Sequence, residues 1–169
     1  MFTVRISKIL FVLSAALFAA LVSMNNILDY QINFAAVRHV MLMDSVFPGN
    51  NSMWRAVEAP WLHHLAYWLI IATEVAIALL GFWGASDLWR ARRDAAQFNR
   101  RKTKAVLALT LGILLWFGGF LVVAGEWFLM WQSQDWNAQQ PAFFFAASFL
   151  LILILLVRED RDDRSTSPP

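Results

Sequence analysis

The sequence contains no cysteine, and only 15% of its 169 residues are charged. The lack of cysteine excludes disulfide bonds, thiolate metal sites and dithiol redox motifs. Soluble domains carry about 25% charged residues, whereas this chain is 59% hydrophobic. The composition therefore excludes an ordinary soluble domain.

Sequence motifs of common enzyme classes are also absent. The chain has no phosphate-binding glycine loop, no His-Glu-x-x-His metal motif, no Ser/His/Asp arrangement and no paired carboxylates. Nothing in the sequence supports an enzyme. We therefore expect a non-catalytic protein without a cofactor.

Four long apolar stretches dominate the chain, and they cover residues 9–28, 61–83, 105–130 and 141–157. A helix needs about 20 residues to cross a bilayer, and 17 to 25 are tolerated. A soluble helical bundle would need polar faces at a 3.6-residue period, which these stretches lack. The sequence predicts an all-α polytopic membrane protein, with one four-helix domain over residues 1–157.

Positive charge is concentrated between the second and third stretches. The loop Gly84–Lys104 carries two acidic residues, Asp87 and Asp94. Its basic residues are Arg90, Arg92, Arg93, Arg100, Arg101, Lys102 and Lys104. Loops rich in Lys and Arg stay in the cytoplasm, so the pattern indicates membrane topology rather than nucleic-acid binding. We expect the loop and both termini in the cytoplasm, with residues 158–169 as a disordered tail.

The outer loop, residues 29–60, is too apolar in its first half for a solvated loop. We predict a short helix over Gln31–Phe47, lying on the outer membrane surface or packed between helix ends, and a second one, capped by Ser52, that extends to Glu58. Indoles favour the headgroup region, which explains most of the outer tryptophans. Their density also indicates a packed cap or a surface for a protein partner. The predicted partner surface consists of Trp54, Trp127, Trp131 and Trp136.

Glu74 lies near the centre of the second stretch, close to the predicted bilayer midplane. Acidic groups at this depth usually face the bundle interior and have a partner. One hypothesis is a structural carboxyl bonded to Thr73, Thr110 or a backbone carbonyl. The alternative is a carboxylate that handles protons or cations, which would make the protein an oligomeric conductor.

Three histidines and one acidic residue near the outer side are weaker candidates. His39 and Met43 belong to a His-x-Met-x-Met run, and His63 and His64 begin the second span, so copper or haem binding is an alternative. Adjacent helical histidines point about 100° apart, and methionine in an apolar loop normally packs, so we expect no metal. Glu126 is predicted to form a structural ion pair with Arg38, Arg55 or a protonated histidine.

Three stretches resemble a family of bacterial predicted small integral membrane proteins that is known only as a domain of unknown function. They are Asn26-x-x-Asp29-Tyr30-x-x-Asn33, then His39-Val40-x-x-Met43-Asp44-x-x-Phe47-Pro48 with Trp54-Arg55-Ala56, and finally Gly125-Glu126-Trp127-Phe128-x-Met130-Trp131-Gln132-Ser133 with Trp136-Asn137. The resemblance implies a bacterial inner membrane but no activity or substrate. It adds Asn26, Asp29, Asp44 and Arg55 to the candidate functional or buried polar residues. The chain departs from the family pattern at Ala138, where glycine is expected.

These features favour a small accessory subunit or binding partner of a larger inner-membrane complex. We expect it to contact lipid and either other membrane subunits or further copies of itself. Conduction through Glu74 is the first alternative, and a metal- or haem-binding electron-transfer subunit is the second.

Overall fold

The structure is a computed structural model that describes residues 2–162. Every regular element in that range is helical, as predicted. The helices are α1 Phe2–Leu28, α2 Tyr30–Leu42, α3 Pro60–Ala91, α4 Ala95–Arg100, α5 Thr103–Trp127 and α6 Gln139–Val157. Single 3-10 turns lie at Met53–Arg55 and Met130–Gln132.

Four of these helices are long and apolar enough to span a membrane: α1, α3, α5 and α6 have 27, 32, 25 and 19 residues. Large apolar side chains cover their outward faces. Examples that are more than half exposed are Leu10, Leu17, Leu69, Leu79, Leu114 and Leu151. Such surfaces are stable only against lipid, so the prediction of a four-span all-α membrane protein is confirmed.

The bundle has two chemically different ends. We call the end with α2 and residues 128–138 the large-loop end. We call the opposite end, which carries α4 and residues 158–162, the basic end. The antiparallel order of the four spanning helices places the beginning of α1 and the end of α6 together at the basic end.

The helix boundaries differ from the predicted ones at both ends. α1 begins seven residues earlier, because Arg5 and Lys8 are buried against other segments rather than solvated. α3 continues through Gly84 to Ala91, since Leu88 is fully buried and no proline follows Trp83 in this segment. The predicted basic loop is therefore largely helical.

The outer loop is partly helical, as predicted, through α2. The second predicted helix is wrong, because only the turn Met53–Arg55 forms and the Ser52 side chain makes no capping bond. The chain becomes extended at Ala56, and the amide of Val57 donates to the carbonyl of Met41 at 2.8 Å. Pairing with the end of α2 replaces further helix in this segment.

Small residues hold the spanning helices together toward the basic end. Ala15, Ala16 and Ala19 of α1 are buried, and α1 packs extensively on α3. A Cβ atom added to Gly81 would lie 2.7 Å from the Cβ of Ala16, and one added to Gly84 would lie 2.5 Å from the amide nitrogen of Ala105. Such close approach provides van der Waals contact in lipid, where no hydrophobic drive brings helices together.

α5 changes its hydrogen-bonding pattern halfway along its length. Thr103–Ile113 is α-helical, and Leu114–Trp127 is a π-helix, with the amide of Phe128 bonded to the carbonyl of Val123 at 3.1 Å. α3 packs closely along the α-helical half and makes few contacts with the π-helical half. The two helices diverge toward the large-loop end, and α2 covers the space between them.

Candidate functional site

The space beneath α2 consists of two adjacent cavities of about 300 and 210 Å³, which together we call the chamber. They share the lining residues Ala36, Val37, Ile70, Phe120 and Ala138. The larger cavity is lined almost wholly by apolar side chains. The smaller cavity adds the polar groups of Asn26, Asn33, Tyr67 and Glu74.

Glu74 forms the polar end of the chamber and is only 2% exposed. The side-chain nitrogen of Asn26 lies 2.8 Å from one carboxyl oxygen of Glu74 and 3.1 Å from the other. The hydroxyl of Tyr67 donates to the backbone carbonyl of Asn26 at 3.0 Å. These bonds fix the end of α1 against α3, so two of the predicted polar residues meet in one site.

The partner of Glu74 is therefore different from the predicted ones. Thr73 points to another side of α3 and donates to the carbonyl of Leu69 at 2.7 Å within its own helix. Successive helical residues point about 100° apart, which explains why Thr73 cannot reach the carboxyl group. Asn26, 48 residues away, supplies the bond instead.

The chamber is closed toward the basic end by the helix contacts at Gly81 and Gly84. At both glycines the neighbouring helix leaves no room for a methyl group. Towards the large-loop end it reaches the surface, because Val123 lines it and is 49% exposed. The carboxyl group of Glu74 thus lies at the inner end of a one-sided chamber.

The structure does not bring the three histidines together. His39 bonds to Asp44 at 2.7 Å, His63 to the carbonyl of Val57 at 2.6 Å, and His64 to the hydroxyl of Tyr30 at 2.8 Å. Within residues 2–162, no three His, Asp or Glu side chains are placed to hold a metal ion.

The remaining candidate metal ligand, Met43, is buried. Met43 is 1% exposed and ends α2 in a left-handed conformation with φ of 52°. Its side chain therefore belongs to the packed interior beneath the outer loop.

Hydrogen bonds tie the two loops of the large-loop end into one cap. The side-chain oxygen of Gln132 accepts from the amide of Phe47 at 3.0 Å and from the side chain of Asn50 at 3.1 Å. Ser133 accepts from Ser45 at 2.9 Å and from the amide of Trp136 at 3.0 Å. Segments 82 to 88 residues apart are thereby held in a fixed relation.

The cap carries an exposed set of aromatic side chains, which we call the aromatic surface: Phe47, Trp54, Trp127 and Trp131. Trp54 and Trp127 meet edge to face at 5.7 Å, and Phe47 and Trp131 at 5.8 Å. The guanidinium of Arg55 lies 5.3 Å and 4.9 Å from the ring centres of Trp54 and Trp127.

Trp136 does not belong to the aromatic surface, although it was predicted there. Its ring stacks on His39 at 4.6 Å and lines the chamber beneath α2. The other three predicted tryptophans, at positions 54, 127 and 131, lie on the aromatic surface and are 43–72% exposed.

One further predicted contact is not formed, and one candidate polar residue has no capping role. Glu126 is exposed, and in the described part of the chain it makes no ion pair within 4 Å, because Arg55 is directed to the tryptophan rings and to the carbonyl of Trp127. Asp29 stands at the start of α2, but its side chain forms no capping bond.

A buried ionic cluster at the basic end was not predicted from the sequence. Asp160 is 5% exposed and lies 2.7 Å from the ammonium nitrogens of both Lys8 and Lys102. Both lysines also donate to the carbonyl of Arg158. Burial raises the pKa of Asp160, but the hydrogen bonds from the two lysines outweigh it and hold that pKa below its ordinary value.

Arg5 extends this cluster. It donates to the carbonyls of Arg92 and Arg161 at 3.0 Å each and pairs with Asp162. Residues 158–162, the beginning of the predicted disordered tail, thus pack against α1 and the segment before α5. The rest of that tail, residues 163–169, lies outside the described residues. Arg5 and Lys8, one helical turn apart, were the only sequence signal for this contact.

Comparison with known protein families gives one match. The family described as predicted small integral membrane protein (DUF2165) matches residues 4–159, so the chain belongs to this family. The resemblance noted in the sequence is confirmed, and the protein is a multi-pass integral membrane protein. No curated protein and no solved structure matches the chain.

Proposed function

We propose that this protein is a non-catalytic accessory subunit of a larger membrane complex, and that it contacts another integral membrane protein through the aromatic surface. The observation that supports this most is that the exposed rings of that surface contact one another in a defined geometry. Trp54, the most exposed tryptophan, is 72% exposed and still has a defined partner in Trp127.

A membrane-interface belt explains isolated indoles but not this arrangement. Arg55 lies against two indole rings, and bonds between distant loops fix the backbone beneath them. Tryptophan and arginine dominate the energetic centres of protein interfaces. Side chains that are already ordered lose less conformational entropy when a partner binds. A prearranged Trp-Arg-Trp group therefore suits a partner protein better than fluid lipid.

The proposed orientation follows the charge distribution. The basic end carries the Arg and Lys residues around α4, and such segments remain on the cytoplasmic side. We place the basic end and both termini in the cytoplasm, and the large-loop end outside, in the inner membrane of a bacterium. The partner would then be met on the outer side.

Co-purification from native membranes tests the subunit proposal. The tagged protein is compared with a Trp54→Ser/Trp127→Ser double variant, and bound proteins are quantified by mass spectrometry. Trp61→Ser is the matched control, since Trp61 is 65% exposed at the same end but has no ring partner among the described contacts.

We expect one or more membrane proteins to be captured in stoichiometric amounts. The double variant should lose them at least about tenfold, as the loss of interface-centre residues predicts, and the control should retain them. Equal recovery with all three proteins, or no stoichiometric partner for the unchanged chain, would contradict the proposal.

Conduction of protons or small solutes is a second candidate, because Glu74 is a buried carboxyl group in a chamber that opens at one end. The contacts at Gly81 and Gly84 close the chamber, so conduction needs several copies or a rearrangement of α3. Proton flux into vesicles distinguishes the two functions. Flux that is lost in Glu74→Gln and kept in Glu126→Gln would favour conduction, and we expect no flux from any of these proteins.

A further inference from the structure

We propose that the chamber is a binding site for a small apolar molecule that carries one protonated amine. The amine would bind at Glu74, and the apolar body would occupy the space beneath α2. This site is independent of the aromatic surface and goes beyond the proposed subunit role.

The shape and lining of the chamber fit such a ligand. Sites for small molecules are mostly apolar, with a few polar groups that fix orientation, and their volumes start at about 300 Å³. Here the apolar cavity of about 300 Å³ adjoins the smaller one, in which Glu74, Asn26 and Asn33 are the main polar groups. The polar groups lie at one end, so a ligand with one polar end fits the chamber in one direction.

The charge of the site selects a cation. None of the lining residues of the chamber is Lys, Arg or His. Asn26 donates to both carboxyl oxygens of Glu74, but a neutral amide does not compensate a negative charge. A buried carboxylate without a counter-ion is costly, and a bound ammonium group removes that cost. A ligand amine is thus the missing partner.

Asn33 supplies a second polar contact. Its side chain lines the smaller cavity and makes no hydrogen bond with any other group in residues 2–162. An amide that faces a cavity in this way offers both a donor and an acceptor to a ligand. An ammonium group has three donors, and the carboxyl of Glu74 together with the carbonyl of Asn33 provides acceptors for it.

Access is from the side of the bundle, at the part of α5 nearest the large-loop end. Val123 lines the apolar cavity and is half exposed on the π-helical part of α5. Gly119, beside it, leaves the wall open: a Cβ atom there would meet only Leu115, at 3.9 Å. Apolar amines concentrate in membranes, so they reach this opening without crossing a polar surface.

The experiment uses two photoreactive probes, an aliphatic diazirine with a terminal amine and the same chain with a terminal hydroxyl. Both are added at pH 7 to vesicles that contain the full-length protein, and labelled peptides are mapped by mass spectrometry. Since the two probes share their apolar chain, the difference between them isolates the ammonium group.

We expect the amine to label α2 and the π-helical part of α5 about tenfold more than the alcohol, the factor expected for a charged hydrogen bond. Glu74→Gln should reduce amine labelling to the alcohol level. The matched control Glu126→Gln, which changes an exposed carboxyl, should leave the preference intact. Circular dichroism and elution volume confirm that each variant is folded.

A second pair of variants tests the location. Gly119→Leu fills the chamber and should abolish labelling by both probes. Gly118→Leu places the same side chain at the preceding residue, which does not line the chamber and has nothing within 4 Å. This variant should keep the labelling. Equal labelling by amine and alcohol, a preference that persists in Glu74→Gln, or labelling outside the chamber would overturn the proposal.

Discussion

Replacing Asp160 with asparagine should destabilise the folded protein, because within residues 2–162 Asp160 is the only anion that pairs with the two buried lysines. Lys8 is 3% exposed and Lys102 is 7% exposed. Without Asp160, their ammonium groups keep only neutral acceptors, the carbonyl of Arg158 and the side chain of Asn99. Breaking a buried ion pair by removing one partner costs 3–5 kcal/mol, and we expect about 3 kcal/mol because the cluster lies near the membrane surface.

The assay is reversible unfolding in mixed micelles with an increasing fraction of denaturing detergent. Glu159→Gln is the matched control, because Glu159 is 66% exposed and its one ion pair within residues 2–162 is with the exposed Arg161. A surface pair of this kind contributes at most about 1 kcal/mol. Lys8→Met added to Asp160→Asn should restore part of the loss, since it removes one unpaired charge. Equal effects of Asp160→Asn and Glu159→Gln would refute the buried cluster.

The same cluster predicts a pH dependence with a definite sign. The pKa of Asp160 is lower in the folded chain than its unfolded value of about 3.9. Its contribution is complete above pH 4 and is lost as the pH falls through the folded pKa. Unfolding measured between pH 5 and pH 2 should therefore depend less on pH in Asp160→Asn than in the unchanged protein. Identical pH profiles would show that Asp160 does not titrate as part of the cluster.

Three other changes test the packing, the cap and the orientation. Gly84→Ala places a Cβ atom 2.5 Å from the amide nitrogen of Ala105 and should lower the free energy of unfolding by about 1–3 kcal/mol. Gly118→Ala is the control, because its Cβ atom has nothing within 4 Å, and equal melting temperatures of the two variants would contradict the close contact. Ser133→Ala removes the hydrogen bonds to Ser45 and Trp136, so protease should cut residues 44–56 faster in this variant than in Ser52→Ala. The Ser52 hydroxyl forms no bond among the described contacts, and equal cleavage rates in the two variants would contradict the cap. Reporters inserted within Gly84–Lys104 or after Val157 should be active in the cytoplasm, and one within Pro48–Ser52 outside it; the reverse pattern would overturn the proposed orientation.

The four spanning helices were predictable from sequence because each depends on the composition of one continuous segment. About 20 apolar residues without a breaker form a membrane helix whatever the rest of the chain does. The boundaries were less predictable, since they depend on contacts between segments. Arg5 and Lys8 mark a helix end by charge, yet both lie inside α1 because the tail residues satisfy them.

The candidate site was predictable only in part. Glu74 stood out because a carboxyl in a long apolar segment needs an explanation. Its pairing with Asn26 was not predictable, because Asn26 lies 48 positions away on another helix. The predicted partner surface included Trp136, because the sequence indicates on which side of the membrane a tryptophan lies but not the direction in which its ring points. Three of the four tryptophans are exposed, and the fourth lies under α2.

The chamber itself depends on a feature that hydrophobic patterns do not encode. Leu114–Trp127 is apolar in either an α- or a π-helix, so its composition alone does not indicate a change of helix type. π-helical turns are uncommon and occur frequently at functional sites. Here the change begins two residues beyond the close contact of Gly112 with Phe149, and from that point α5 makes few contacts with α3. Gly119 contributes no side chain that would fill the gap. The same part of α5 that loses its packing against α3 thus provides the wall of the chamber opposite Glu74, which connects the irregular helix to the proposed binding site.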